Sequence, residues 1–195
     1  HAFLSEAART FLFDERKLDP RVVSWCRLNS FTDKQGTSWL QIPSYDIDGH
    51  LIGVQNRNLS YQSSSINNQS SSAPRFKFPY GHTCHIYNLP VLKLLKKGEP
   101  LFITEGASDC WAMLSSGHKA VAIPSATLLK PQDLQILSTL NSQLSTVLHM
   151  YPDQDEPGER LFLDLRRLLG SPSSIVRHQL PPDYKDYSDY YLSKH

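Results

Sequence analysis

Residues 101–117 read LFITEGASDCWAMLSSG, and the fold follows from them. A short apolar run, LFIT, ends at Glu105-Gly106, and a segment with helical spacing follows and stops at Gly117. The same alternation continues downstream. KAVAI (119–123) precedes the helical KPQDLQILSTLNSQL (130–144), and STVLHMY (145–151) precedes PGERLFLDLRRLLG (157–170). SIVRHQL (174–180) precedes DYSDYYLSKH (186–195), which opens a last helix. Pro157 sits early in the first turn of its helix and Gly170 lies just past the end, where each residue is tolerated best. Apolar runs alternating with helices predict a parallel sheet covered on both faces.

Ligands of such sheets bind at the carboxyl ends of the strands. After the first run come Glu105, Gly106 and, one helical turn on, Asp109. After the third come Asp153 and Asp155, and after the fourth Asp186 and Asp189; the second run ends in Pro124-Ser125-Ala126 instead. Crowded carboxylates repel and raise one another's pKa unless a cation neutralises them. Hard oxygen donors suit Mg²⁺ or Mn²⁺. An Asp-x-Asp pair in extended chain turns both carboxylates to one side. Gly106 leaves room beside Glu105 for a phosphate or a metal-bound water. Taken singly, each acid reads as an ordinary residue of a helix start. As an ordered set they point to metal-assisted phosphoryl transfer.

Upstream, the pattern differs. SEAARTFLFDERK (5–17) has helical spacing, and LDPRVVSWCRLNS (18–30) reads as a second short helix with Asp19 as N-cap and Pro20 first inside it. SWLQIPSYD and HLIGVQNRNLSY flank the turn Asp48-Gly49 as a hairpin. Residues 60–74, rich in Ser, Asn and Gln, are expected to form a flexible loop. RFKFPYG resumes extended structure, with Phe76 and Phe78 alternating with Arg75 and Lys77 as in a half-buried strand, and NLPVLKLLKKG is a short helix closed by Gly98. The composition shift near residue 99 predicts a mixed α+β subdomain over 1–99 and the parallel-sheet domain over 100–195.

The chain has 195 residues, 39% of them apolar and 20% charged, with 13 Pro and 9 Gly, which excludes collagen, coiled coil and a wholly disordered chain. No apolar run approaches a membrane span, and HAFLSEAART has no signal-peptide pattern; its abrupt start resembles a cut from a longer protein. Cys26, Cys84 and Cys110 make no CxxC pair, so they build neither a disulfide framework nor a zinc ribbon, and a reducing cytoplasm is expected. Residues 1–100 carry net charge +4 and residues 101–195 net −3, which suits a binding surface beside a metal site. His82-x-Cys84-His85 lacks a second ligand pair at zinc spacing, and Ser125 lacks the Gly-x-Ser-x-Gly elbow of hydrolases.

The ordered acids resemble the TOPRIM domain of primases, topoisomerases and some nucleases. ITEGASDCWAML, YPDQDEPGERL and KDYSDYYL resemble its three motifs, over roughly residues 100–192. IPSYDIDGHLIGVQNRNL and RFKFPYGHTCHIYNL resemble the segments that lead into this domain in DnaG-type bacterial primases and are missing from topoisomerases. The sequence departs from that family at Pro157, where Ala is usual, at Ser125, where Gly is frequent, and in the two residues between Asp186 and Asp189. A phage, plasmid or conjugative-element primase is the nearer comparison.

The resemblance implies a DNA-dependent RNA polymerase core that makes primers on single-stranded DNA from ribonucleoside triphosphates. It implies Glu105 as catalytic acid/base and metal ligand, and Asp153 and Asp155 as holders of Mg²⁺ (or Mn²⁺). Asp109, Asp186 and Asp189 complete the acidic patch, and Arg57, Arg75 and Lys77 face template and nucleotide phosphates. It further implies a cytoplasmic enzyme that meets a replicative helicase through other domains, with no zinc in this chain and no membrane partner. A primase-like DNA-binding module without activity and a TOPRIM nuclease are the alternatives.

Overall fold

The computed structural model describes residues 3–61, 73–81, 83–171 and 174–195. The loop expected at 60–74 falls mostly outside the described residues, as does His82. Two compact units emerge, one from His1–Ser44 with Leu51–Thr83 and one from Tyr45–His50 with Cys84–His195.

The first unit opens with α1 (Glu6–Arg9), capped by Ser5, whose side chain accepts from the Ala8 amide. The helix does not run on to Lys17 as α-helix: Thr10–Glu15 form a π-helical turn in which the Arg16 amide donates to the Phe11 carbonyl at 3.0 Å. α2 (Pro20–Trp25) has the Asp19 cap and the first-turn Pro20 that its sequence predicts. It stops short of residue 30, because Arg27 takes φ 51° and residues 29–32 turn extended. These form β1 (Asn29–Thr32), which pairs antiparallel with β2 (Ser38–Tyr45). Asn29-Ser30 sits too close to the helix for period reasoning to separate the two, and only the β2 partner reveals the strand. β3 (Leu51–Asn58) follows the turn at Asp48-Gly49, where Gly49 takes φ 89°, a conformation that a side chain disfavours. β4 (Phe76–Lys77) completes the order β1-β2-β3-β4.

The second unit holds β5 (Leu101–Thr104), β6 (Ala120–Ala122), β7 (Leu148–Met150) and β8 (Ile175–Arg177). All three pairings are parallel, in the order β6-β5-β7-β8. The central strands β5 and β7 are mostly buried, which explains their mainly apolar sequence; the half-buried His149 of β7 is the exception. Helices α3 (Ala107–Ser115), α4 (Pro131–Leu144), α5 (Glu156–Leu168) and α6 (Tyr187–Leu192) connect and flank them. Residues 89–94 form a 3-10 helix that ends before Leu95 rather than at Gly98. In packing, residues 84–99 go with this unit. Tyr87 bridges Ala122, the Tyr87 hydroxyl accepts from Trp111 Nε1 at 2.8 Å, and Asn88 Nδ2 donates to the Ala120 carbonyl at 2.8 Å. The architecture is thus a parallel sheet flanked by helices and preceded by a smaller mixed unit. No helix among the described residues is long and apolar enough to cross a membrane.

Candidate functional site

The strand order decides where the acids meet. From β5 the chain crosses to β6 on one side, then returns to place β7 on the other. The direction of winding therefore reverses between β5 and β7, which opens a crevice at their carboxyl ends. Glu105 follows β5 directly, and Asp153 lies three residues beyond β7. The strand without an acid at its end, β6, is at the sheet's edge.

Each acid is held by its own local device. Asp109 lies in the first turn of α3 and is buried; its Oδ1 accepts from the Ser188 amide at 2.9 Å and from the Ser188 hydroxyl at 2.6 Å. Asp155 caps α5 by accepting from the Gly158 amide at 2.8 Å, and Asp186 caps α6 by accepting from the Asp189 amide at 2.9 Å. Gln154, between the two aspartates, staples their turn to the next segment. Its amide donates to the Lys185 carbonyl at 2.7 Å, and its Nε2 donates to the carbonyls of Pro181 and Tyr184 at 2.7 and 2.5 Å.

One carboxylate oxygen from each of Asp109, Asp153 and Asp186 lies within 4.8 Å of the other two. Glu105 adjoins this triad: its carboxyl and that of Asp153 influence each other's protonation, and its Oε2 is buried with no partner among the described residues. Asp155 stands at the rim, with Oδ2 3.8 Å from Lys185 Nζ. The exposed Asp189 contributes its amide to Asp186, and its carboxylate is not one of the three clustered groups.

Crowding and burial set the charge state. Burial, then the neighbouring Asp109 and Glu105 charges, push the Asp153 carboxyl up to about 8. Burial raises Asp109 to about 6, with Asp186 adding to it and the Ser188 bonds opposing it. Glu105 is raised as well, chiefly by burial. Acids that resist losing their protons while one oxygen lies buried without a partner are acids that lack a counter-charge. An all-oxygen donor set of this kind fits Mg²⁺ or Mn²⁺.

The basic residues lie in the first unit. Arg57 on β3 is half-buried between aromatic rings, with its guanidinium carbon 4.7 Å from the Phe11 ring centre and 5.6 Å from that of Phe76. Arg75 lies 5.3 Å from the Phe76 ring, and Lys77 Nζ lies 5.0 Å from the Trp39 ring. Burial, then the like charges of Arg75 and Arg16, draw Arg57 down to about 10.

Three supporting residues escape a reading of the sequence. Ser188 carries no motif signal. Gln154 occupies the variable place in Asp-x-Asp. Gly158 is visible as the motif's glycine, but its role is a close approach: a Cβ there would stand 2.4 Å from the Asp153 carbonyl oxygen. Ser188→Ala removes a charge-assisted bond from a buried carboxylate and should cost about 1.5–3 kcal/mol at neutral pH. The Asp109 titration should move further up from about 6, visible in carboxyl ¹³C NMR; an unmoved titration would contradict the role given to Ser188.

Residues 102–191 match the Toprim-like family. Among solved structures the chain is similar to the DnaG catalytic core (TM-score 0.69, 16% identity, covering 97% of this chain and 69% of that one). It is also similar to the primase fragment of the bacteriophage T7 primase-helicase protein (TM-score 0.66, 15% identity, 93% and 69% covered). A third is the DnaG primase catalytic domain bound to single-stranded DNA (TM-score 0.64, 17% identity, 97% and 70% covered). No curated protein sequence matches the chain significantly. The parallel sheet with acids at its switch point is thus similar to a Toprim-like domain over residues 102–191. With the mixed unit before it, the chain has the fold of a DnaG-type primase catalytic core.

Proposed function

We propose that this chain is the polymerising core of a primase, joining ribonucleoside triphosphates into short primers on a single-stranded DNA template. The observation that carries the reading is the convergence of Asp109, Asp153 and Asp186 within 4.8 Å at the β5/β7 crevice, with the unpartnered Glu105 oxygen beside them. Glu105, Asp109, Asp153 and Asp186 would hold a divalent cation, with Asp155 and Asp189 as outer members of the patch. Such a cation, when bound, neutralises phosphate oxygens and lowers the pKa of an attacking hydroxyl. The chain's own residues supply the rest. Glu105, whose carboxyl is pushed up chiefly by burial, takes or gives the proton of the reacting oxygen. The Ser188 bonds hold Asp109 towards Asp186, and the Gln154 staple keeps the segment carrying Lys185 and Asp186 beside Asp153. Arg57, Arg75 and Lys77 neutralise template and nucleotide phosphates without reading sequence.

The division into an accessory unit through residue 99 and a TOPRIM unit from residue 100 belongs to this reading. So do a cytoplasmic setting in a bacterium or mobile element and a helicase partner met through other domains. Incubation with single-stranded template, labelled ribonucleotides and Mg²⁺ or Mn²⁺ tests it. The full chain should extend products, and Glu105→Gln should not. Binding without any synthesis would mark a DNA-binding module, and nucleotide-independent cleavage would mark a nuclease; either outcome removes the polymerase reading.

A further inference from the structure

One face of the parallel sheet carries imidazoles that the acid site does not use. His149 of β7 and His178, the residue just past β8, reach towards each other, with His149 Nδ1 2.8 Å from His178 Nε2. The strand pairing sets this up. Met150 is in register with Arg177, and the His178 amide donates to the Met150 carbonyl at 2.7 Å. The His178 ring stacks on both His149 and Tyr151, with centres 5.1 and 4.7 Å apart and planes 21° and 19° off parallel. The Phe102 ring of β5 lies 5.3 Å from His149, 5.9 Å from His178 and 4.7 Å from His118.

The pair is half-buried, and among the described residues no carboxylate lies within ion-pair distance of either ring. Burial draws both His149 and His178 below the ordinary imidazole range, and the charges of His178 and His118 act on His149 in the same direction. Both rings are therefore neutral at neutral pH, the form in which imidazole binds a metal. Zn²⁺ holds imidazole nitrogens at about 2.0–2.1 Å, so two of them at about 90–110° stand about 2.9–3.4 Å apart. The observed 2.8 Å has only to open slightly. Rings already fixed by stacking lose little further freedom when an ion arrives. Among the described residues the acid cluster is the preassembled group of three donors, so water completes the coordination here.

We propose that His149 Nδ1 and His178 Nε2 form a nitrogen-donor site on the sheet face for a late first-row divalent ion such as Zn²⁺. The ion takes the place of the hydrogen shared by the two rings. The ring that donated it carries its proton on its other nitrogen instead, so both imidazoles stay neutral and no proton is released. The donors set this site apart from the acid cluster, since imidazole suits Zn²⁺ whereas all-oxygen donors suit Mg²⁺. An ion held there ties the edge strand β8 to β7. The inference stands independently of the polymerase reading.

The test is titration of the full chain with Zn²⁺ in excess Mg²⁺, which competes for the acid cluster. Calorimetry measures affinity, and the imidazole ¹⁵N resonances report which nitrogens bind. In the wild type the His149 Nδ1 and His178 Nε2 resonances should move together along one saturating curve, and Zn²⁺ should raise the melting temperature. Losing a residue that merely orients a ligand costs about 10–100-fold in metal affinity, so His149→Gln and His178→Gln should each cost at least about 100-fold. His50→Gln, on the exposed hairpin turn, should leave the curve unchanged. His178→Gln lies beyond the edge strand and carries the test should His149→Gln fold poorly, and the ¹⁵N readout needs no variant. The proposal is overturned if Zn²⁺ leaves both nitrogens unmoved, or if both variants bind it as the wild type does.

Discussion

Asp153→Asn will give a protein that is more stable than the wild type without metal and inactive with it. Burial and the neighbouring Asp109 and Glu105 charges push the Asp153 carboxyl up to about 8, from an ordinary value of 3.8. A carboxyl raised on folding favours the folded state only when protonated. Stability is therefore highest below the unfolded value and falls as pH rises towards the folded one. At pH 7.5 the wild type carries most of that penalty. Because Asp153 is only partly buried, solvent screens part of the penalty, leaving about 1–2 kcal/mol. Asparagine has no charge to desolvate and escapes it. Urea denaturation in EDTA should show the variant ahead at pH 7.5, its lead shrinking as pH falls and vanishing only below about pH 4. Added Mg²⁺ should stabilise the wild type and barely affect the variant. Nucleotide joining should fall on the order of 10³-fold, as when one strong electrostatic contact to the transition state is lost. A variant less stable than the wild type in EDTA at pH 7.5 would mean that Asp153 is satisfied without a cation.

Gly158→Ala is expected to have the largest effect on stability. The new Cβ would stand 2.4 Å from the Asp153 carbonyl oxygen, 2.9 Å from its amide nitrogen and 2.8 Å from its Cβ. Most of these contacts are backbone, so no flexible side chain can move aside. Gly158 is itself tied down, its amide bonded to Asp155 at 2.8 Å. Relief requires the Asp153 turn and the start of α5 to move apart. The cost is about 2–4 kcal/mol, at the upper end for overpacking, and a displacement approaching 1 Å lowers activity about 10²-fold. Gly106→Ala is the control: nothing lies within 4 Å of its Cβ, and the backbone there is extended, so stability should change by less than about 0.5 kcal/mol. Thermal denaturation of both variants, with and without Mg²⁺, tests the pair of expectations; a Gly158→Ala protein that melts with the wild type would show that the turn is not confined.

The three long helices of the parallel unit and the strands between them were legible because each has a strong local cause. The central strands are mostly apolar and buried, and α5 stops two residues before Gly170, which takes φ 74°. The Asp19 cap and the Asp48-Gly49 turn were legible for similar reasons. β1 was not, because its four residues gain their conformation from β2. Nor was the π turn at Thr10–Glu15, since α- and π-helical turns share nearly the same apolar spacing.

For the site, local chemistry was enough to place an acid after three of the four strands, because a helix start favours negative charge wherever the chain leaves a strand. Which acids meet was a matter of strand order. Only the folded sheet sets β7 rather than β6 at the site's side of β5, bringing Asp153 to Glu105. Only packing of α3 against α6 brings Ser188 to Asp109, 79 positions away. Local sequence governs caps, turns and burial, which act over a few residues; contacts between distant segments depend on the whole chain closing its core, and no short stretch encodes that.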